Sequence, residues 1–275
     1  MLKPEPDSGF RDALEVNHPR AGAEARIVSL VPSITELLVD LGLGAQLVGR
    51  TGFCVHPREA VRAIPKVGGT KTVDVKKVRA LAPSHVIMNV DENTRETYTA
   101  LCTFVPHVVV THPCAPEDNL DLYRLLGAIF GREARAEEWC DRMNAALGAA
   151  RSRTRDLPRE RVLYLIWRQP WMTISSDTYI ARTLGVLGWN AWQPAGTQRY
   201  PEIKLSADLG QQLERVLLSS EPYRFGRQHV DEVRRELAWA DASKVQLVDG
   251  EMCSWYGSRA VQAMAYLAGL RGAGA

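Results

Sequence analysis

Apolar residues along this chain come in short runs broken by turn residues and by stretches of helical period. Ile27, Val28 and Leu30 read as a strand that turns at Pro32 into a helix, with Ser33 as its cap and Glu36 three residues on completing a capping box. That geometry aims backbone N–H groups at a cleft. Next come a turn at Val67-Gly68-Gly69-Thr70, a helix over 74–81, a stop at Pro83 and a buried strand over 85–90. A helix is expected over 98–104 and a strand over 107–111, and Pro113 and Pro116 then close a first α/β lobe over 26–116. Strand and helix in alternation imply a parallel sheet.

Over 117–155 the pattern changes. Leu120, Tyr123, Leu126, Ile129, Trp139, Met143 and Leu147 recur at helical spacing, with Glu117 and Asp118 at the start and basic residues late. This predicts one long helix with a jog at Gly131. A second α/β lobe, 156–275, should hold strands over 161–167, 216–219 and 245–248, with helices over 177–185, 206–213, 229–237 and 258–270. The expected fold class is therefore α/β, with two Rossmann-like lobes, parallel sheets, a connecting helix and a ligand cleft between the lobes. No transmembrane stretch or short-period repeat is visible.

Ligands of open α/β sheets sit beyond the carboxyl ends of the strands. In the first lobe those segments offer Pro32, Ser33, Phe53, Cys54, Thr70, Lys71, Asn89, Asp91, Glu92 and Arg95. The second offers Trp167, Arg168, Trp171, Ser175, Tyr200, Glu221, Tyr223, Phe225, Asp249, Glu251, Trp255 and Tyr256. Aromatic walls with a few fixed polar groups suit a large flat ligand such as a tetrapyrrole or metal chelate, because ring contact supplies area while hydrogen bonds orient it. The same aromatics also suit ordinary core packing.

Asp91, Glu92, Glu221, Asp249 and Glu251 either converge on a hard metal ion or cationic ligand or stand as solvated loop ends. His56 is the candidate axial ligand for a corrinoid or haem, and with Glu221, Asp249 and Glu251 it makes up the candidate metal-ligand set. His107, His112 and Cys114 read as structural. No nucleophile elbow surrounds Ser33, and Gly68-Gly69 lacks the rest of a phosphate loop, so no catalytic residue is assigned and an enzyme is the runner-up class. Net charge is +2, too small to suggest nucleic acid. The five cysteines, Cys54, Cys102, Cys114, Cys140 and Cys253, are odd in number and without a C-x-x-C pair, which predicts reduced, mostly buried thiols.

The run Ser29-Leu-Val-Pro-Ser-Ile-Thr-Glu36, the turn Ile64-Pro-Lys-Val-Gly-Gly69 and the strand Leu81-Ala-Pro-Ser-His-Val-Ile87 resemble, in order and distance, the helical-backbone metal receptors. These are the class III periplasmic substrate-binding proteins of the TroA-like superfamily, and the cobalamin-binding branch is the nearest. The resemblance spans roughly residues 26–270; Ser84 stands where the family usually has Asp. It implies a soluble binding protein for a corrinoid, haem or related metal chelate, with a stiff hinge and no membrane insertion.

Two departures bear on the partners. Positions where cobalamin binders place tryptophans around the corrinoid match Thr70, Asn89 and Tyr200 here, so only Tyr200 keeps a ring. The glutamates with which exported members dock on permease arginines match Lys76 and Asp208, and a lysine facing arginine repels. The first 25 residues are polar, without an apolar signal core or a cysteine placed for lipidation. They read as a flexible N-terminal segment (1–25). Together these features predict a cytoplasmic protein that does not dock on a transporter. The alternatives are an exported ABC-transporter binding protein for cobalamin or a ferric siderophore, and a metal-dependent enzyme using the acidic cleft.

Overall fold

The computed structural model describes residues 10–196 and 198–273. The chain divides into two compact units: residues 1–113, 118–142 and 256–258 in one, 114–117, 143–255 and 259–275 in the other.

The first unit opens with the short antiparallel pair β1 (Phe10–Arg11) and β2 (Asn17–His18). Its sheet contains β3 (Ile27–Ser29), β4 (Leu47–Arg50), β5 (His85–Asn89) and β6 (His107–Thr111), all parallel, in the order β4-β3-β5-β6. Helices α1 (Pro32–Asp40), α2 (Arg58–Val61), α3 (Val75–Ala80) and α4 (Arg95–Leu101) connect the strands. Every residue of β5 is buried, as a central parallel strand covered on both faces should be. Ser33 is not the cap of α1. Val31 holds that position without a side-chain bond and Pro32 is the first helical residue, where its missing N–H costs nothing. The caps of α3 and α4 are side chains: Asp74 accepts from the Lys77 amide and Thr94 from the Thr97 amide.

The predicted long helix is two helices, α5 (Asn119–Ile129) and α6 (Glu133–Thr154). Gly131 adopts φ +65°, a left-handed conformation that ends a helix, and the following chain starts a new one. The predicted apolar stripe is nevertheless buried, including Tyr123, Leu126, Trp139, Met143 and Leu147.

The second unit is built on β7 (Glu160–Leu165), β9 (Trp189–Ala191), β11 (Arg215–Ser219) and β12 (Val245–Val248), parallel in the order β12-β11-β7-β9. A second small sheet pairs β8 (Trp171–Met172) with β10 (Glu202–Ile203). Its helices are α7 (Tyr179–Val186), α8 (Ala207–Gly210), α9 (Arg227–Glu236), α10 (Gly250–Ser254) and α11 (Arg259–Ala273). The sequence pattern missed β1, β2, β4, α2, β8, β9, β10 and α10, all of five residues or fewer. The two sheets give the α/β fold with parallel sheets in two lobes. Among the described residues no helix is long and apolar enough to cross a membrane.

The second unit buries charge at the amino ends of its strands. In the second unit Glu160 accepts from Arg215 at 2.8 and 3.2 Å, from Arg271 at 3.0 Å and from the Trp189 indole at 2.9 Å. Its carboxyl stays low because these donors outweigh the effect of burial. The first unit buries Asp12 beside β6, within the segment expected to be flexible (1–25); residues 1–9 lie outside the described ones. Asp12 accepts from His18 at 3.0 Å and from the amides of Val110, Leu14 and Val16, and so fastens the β1–β2 strap to β6.

His18 stands 6.1 Å from His107, whose ring stacks on His85 at 4.8 Å. Burial, reinforced by His107 and His18, lowers the His85 pKa from 6.5 to about 4. Between those values the unfolded chain binds a proton at His85 that the native protein does not. Stability is therefore complete above pH 6.5 and falls as the pH drops toward 4. We expect denaturant titrations to lose about 3 kcal/mol across that window, and His85→Leu to flatten the slope. A wild-type stability independent of pH there would refute the assignment.

Candidate functional site

In the first unit, the loops after the strands are tied together by one carboxamide. Asn93 is buried; its Nδ2 donates to the Leu30 carbonyl at 3.3 Å and to the Thr70 carbonyl at 3.0 Å, while its Oδ1 accepts from the Asn89 amide at 2.9 Å. Asn89 Oδ1 in turn accepts from the amides of Asp91 and Glu92. Asn89 therefore shapes its loop and does not face a ligand. Cys54 is also interior: its thiol lies 3.1 Å from Thr51 Oγ1, and burial pushes its pKa up. Pro32 and Ser33 are buried in the first turn of α1.

The accessible candidates of this unit are Phe53, 63% exposed, with Lys71, Arg95 and the half-buried Asp91, Glu92 and His56. Lys71 Nζ donates to the Asp91 carbonyl at 2.6 Å, and Asp91 lies 3.5 Å from His112 Nε2. His112 is thus a partner of the acidic loop, and His107 belongs to the buried histidine stack at the other end of the sheet.

The second unit gathers the aromatic candidates. Trp167, 40% exposed, meets the edge of Tyr223 at 5.7 Å, Tyr223 lies 4.7 Å from Phe225, and Phe225 stacks with Trp171 at 6.1 Å and 8°. Arg168 is fixed by Glu232 through contacts of 2.7, 2.9 and 3.1 Å, and its guanidinium stands 5.8 Å from the Trp171 ring. Tyr200 is exposed on the following loop. Trp255 and Tyr256 are buried, so they pack rather than line an open surface.

The acidic candidates of this unit flank a groove of about 530 Å³ running from Ser220, Glu221 and Arg224 to Asp249 and Glu251. Glu221 Oε1 accepts from Ser254 at 2.7 Å and from the Trp255 indole at 3.0 Å. Burial pushes the Glu221 carboxyl above its usual range, with Glu251 and Asp249 adding to the effect and the Ser254 and Trp255 bonds opposing it. Glu221 fits only because position 250 is glycine: a Cβ there would lie 2.5 Å from the Glu221 Cγ and 2.5 Å from Ser219 Oγ. Glu251 pairs with Arg259 at 2.9 Å and Asp249 caps α10. Among the described residues no group of three or more His, Cys, Asp or Glu is placed to hold a metal ion. The set His56, Glu221, Asp249 and Glu251 thus does not come together as a metal centre, because its carboxylates are spent on an arginine, a helix end and an indole.

The periplasmic binding protein family matches residues 27–242. The chain belongs to this family. Over 180 residues it is 21% identical to the vitamin B12-binding protein of Vibrio vulnificus (strain CMCP6), covering 66% of either chain. Over 62 residues it is 45% identical to the uncharacterized ABC transporter substrate-binding lipoprotein YvrC of Bacillus subtilis (strain 168), which is 22% of this chain and 19% of that one. The matches thus span a fifth to about two thirds of these relatives.

Among solved structures it is similar to the periplasmic vitamin B12 binding protein BtuF of Vibrio cholerae, with a TM-score of 0.78, 17% identity, and coverage of 90% of this chain and 97% of that one. It is also similar to the apo periplasmic heme-binding protein RhuT from Roseiflexus sp. RS-1, with a TM-score of 0.77, 21% identity and coverage of 92% and 99%. At such identity these structures share the fold. Family and relatives side with the exported, ABC-transporter-type alternative; the expectation of a cytoplasmic, undocked binding protein finds no support in them. Lys76 and Asp208, the positions matched to docking glutamates, are exposed on α3 and α8 of this chain.

Sequence reading missed Asn93, His229, Glu232 and Ser254, each of which holds a candidate in place. An asparagine four residues beyond a strand-end asparagine is the one visible sign of the first. Replacing Asn93 by Ala strands two carbonyls and an amide, at about 1 kcal/mol each. We expect a clear drop in the thermal unfolding midpoint together with weaker ligand binding; an unchanged midpoint would show that the loops are held by other means.

Proposed function

We propose that this chain is the ligand-binding component of an ABC-type uptake system for a corrinoid or haem-type metal chelate, acting outside the cytoplasmic membrane. The observation that carries the reading is the aromatic surface of Trp167, Tyr223, Phe225 and Trp171 beside the carboxyl ends of β7 and β11. Four rings in a chain of contacts, one of them exposed, provide area for a flat ligand. Family membership and the names of the similar proteins, vitamin B12-binding and heme-binding, support the same ligand class.

Within this reading Trp167, Tyr200 and Tyr223 are the ligand contacts of the second unit. Titration of the purified protein with cyanocobalamin, cobinamide, haemin and a ferric siderophore, followed by tryptophan fluorescence and visible absorbance, should give stoichiometric binding of at least one tetrapyrrole. Trp167→Ala should weaken it by about tenfold, the loss of one stacked ring. Absence of binding across the panel, or an unaltered Kd for the variant, would overturn the proposal.

A further inference from the structure

Resting on the tetrapyrrole-chelate reading above, we propose that His229 holds the Tyr223 hydroxyl as an outward hydrogen-bond donor. We further propose that this donor takes an uncharged oxygen acceptor of the ligand, an amide carbonyl rather than a carboxylate.

The orientation follows from what each neighbour is able to do. The backbone N–H of Gly226 can only donate, and it lies 2.9 Å from His229 Nδ1. Nδ1 is therefore the bare nitrogen and the ring hydrogen sits on Nε2. Nε2 is 3.1 Å from the Tyr223 hydroxyl, so the histidine donates and the phenol oxygen accepts. The phenol hydrogen is thereby turned away from the histidine. Among the described residues none offers it an acceptor, although Tyr223 is only half-buried and stands against the exposed ring of Trp167. A half-buried donor aimed past an aromatic wall calls for an acceptor on the bound molecule.

Charge decides the kind of acceptor. Arg168 is neutralised by its paired contacts with Glu232. In the adjoining segments Arg259 is paired with Glu251, and Glu221 and Asp249 flank the groove, so carboxylates crowd the side next to the phenol. A neutral carbonyl incurs no repulsion there. Amide side chains of the corrin type meet that requirement, whereas the propionates of a haem do not.

Calorimetric titration with cyanocobalamin as the amide-bearing probe and haemin as the carboxylate-bearing probe tests this. Tyr223→Phe should weaken cyanocobalamin by about tenfold, the loss of one hydrogen bond, and leave haemin within about twofold. His229→Glu keeps an acceptor for the Gly226 N–H and so preserves the end of α9, but it draws the phenol hydrogen inward. It should reproduce the Tyr223→Phe loss with an unchanged thermal midpoint, and the double variant should be no weaker than Tyr223→Phe alone.

Undiminished cyanocobalamin affinity in Tyr223→Phe would sink the donor role. An equal or greater loss for haemin would sink the choice of acceptor. A loss from His229→Glu that persists in the Tyr223→Phe background would reassign His229 to a charge effect. Failure of the wild-type protein to bind either probe would defeat the underlying chelate reading instead.

Discussion

A parallel strand that stops inside a protein leaves backbone amides and carbonyls without a ladder partner, and both units are organised around meeting that demand at the carboxyl ends of their sheets. In the first, Asn93 reaches the carbonyls after β3 and after the glycine turn, while Asn89 and Thr111 complete the pairing beside it. In the second, Ser219 Oγ donates to the Glu221 carbonyl at 2.6 Å and accepts from the Glu221 amide and the Tyr164 hydroxyl, and Ser220 accepts from Gly250. The loops that carry Lys71 and Tyr223 start from these fixed points, so their backbone is already committed.

Away from these loops each unit is held by buried polar sets. Asp12 with His18, and Glu160 with Arg215 and Arg271, place charges in nearly dry surroundings where each has several donors. Breaking one member of such a set leaves the others uncompensated, at a cost of about 3–5 kcal/mol. In the second unit this ionic set lies at the end of the sheet opposite the exposed aromatics. Substitution among the exposed aromatics is therefore expected to alter binding without unfolding the unit that carries them.

Much of the α/β pattern was legible because buried parallel strands are continuous apolar runs and their helices have a clear period. The break at Gly131 was visible as a position but not as a termination, since a glycine inside a helical pattern is compatible with both. Among the candidates, the aromatic set after β7 and β11 does assemble. Cys54, Asn89, Trp255 and Tyr256 were chosen by the same strand-end rule, yet they turn inward to satisfy or pack their own loops. Position in the sequence says that a residue follows a strand; it does not say which way the loop faces.

The sequence by itself determined the class of fold, the order of most of the longer strands and helices, and the family, because these depend on local period and on motif spacing along the chain. Only the tertiary structure decided which polar groups are spent. Asn93 finds Leu30 across 63 positions, Arg168 finds Glu232 across 64, and Glu221 finds Trp255 across 34. Hydrogen-bond partners so far apart in the chain leave no periodic trace in it. The direction of the Tyr223 hydroxyl is of the same kind, fixed by the single nitrogen of His229 that faces a backbone amide.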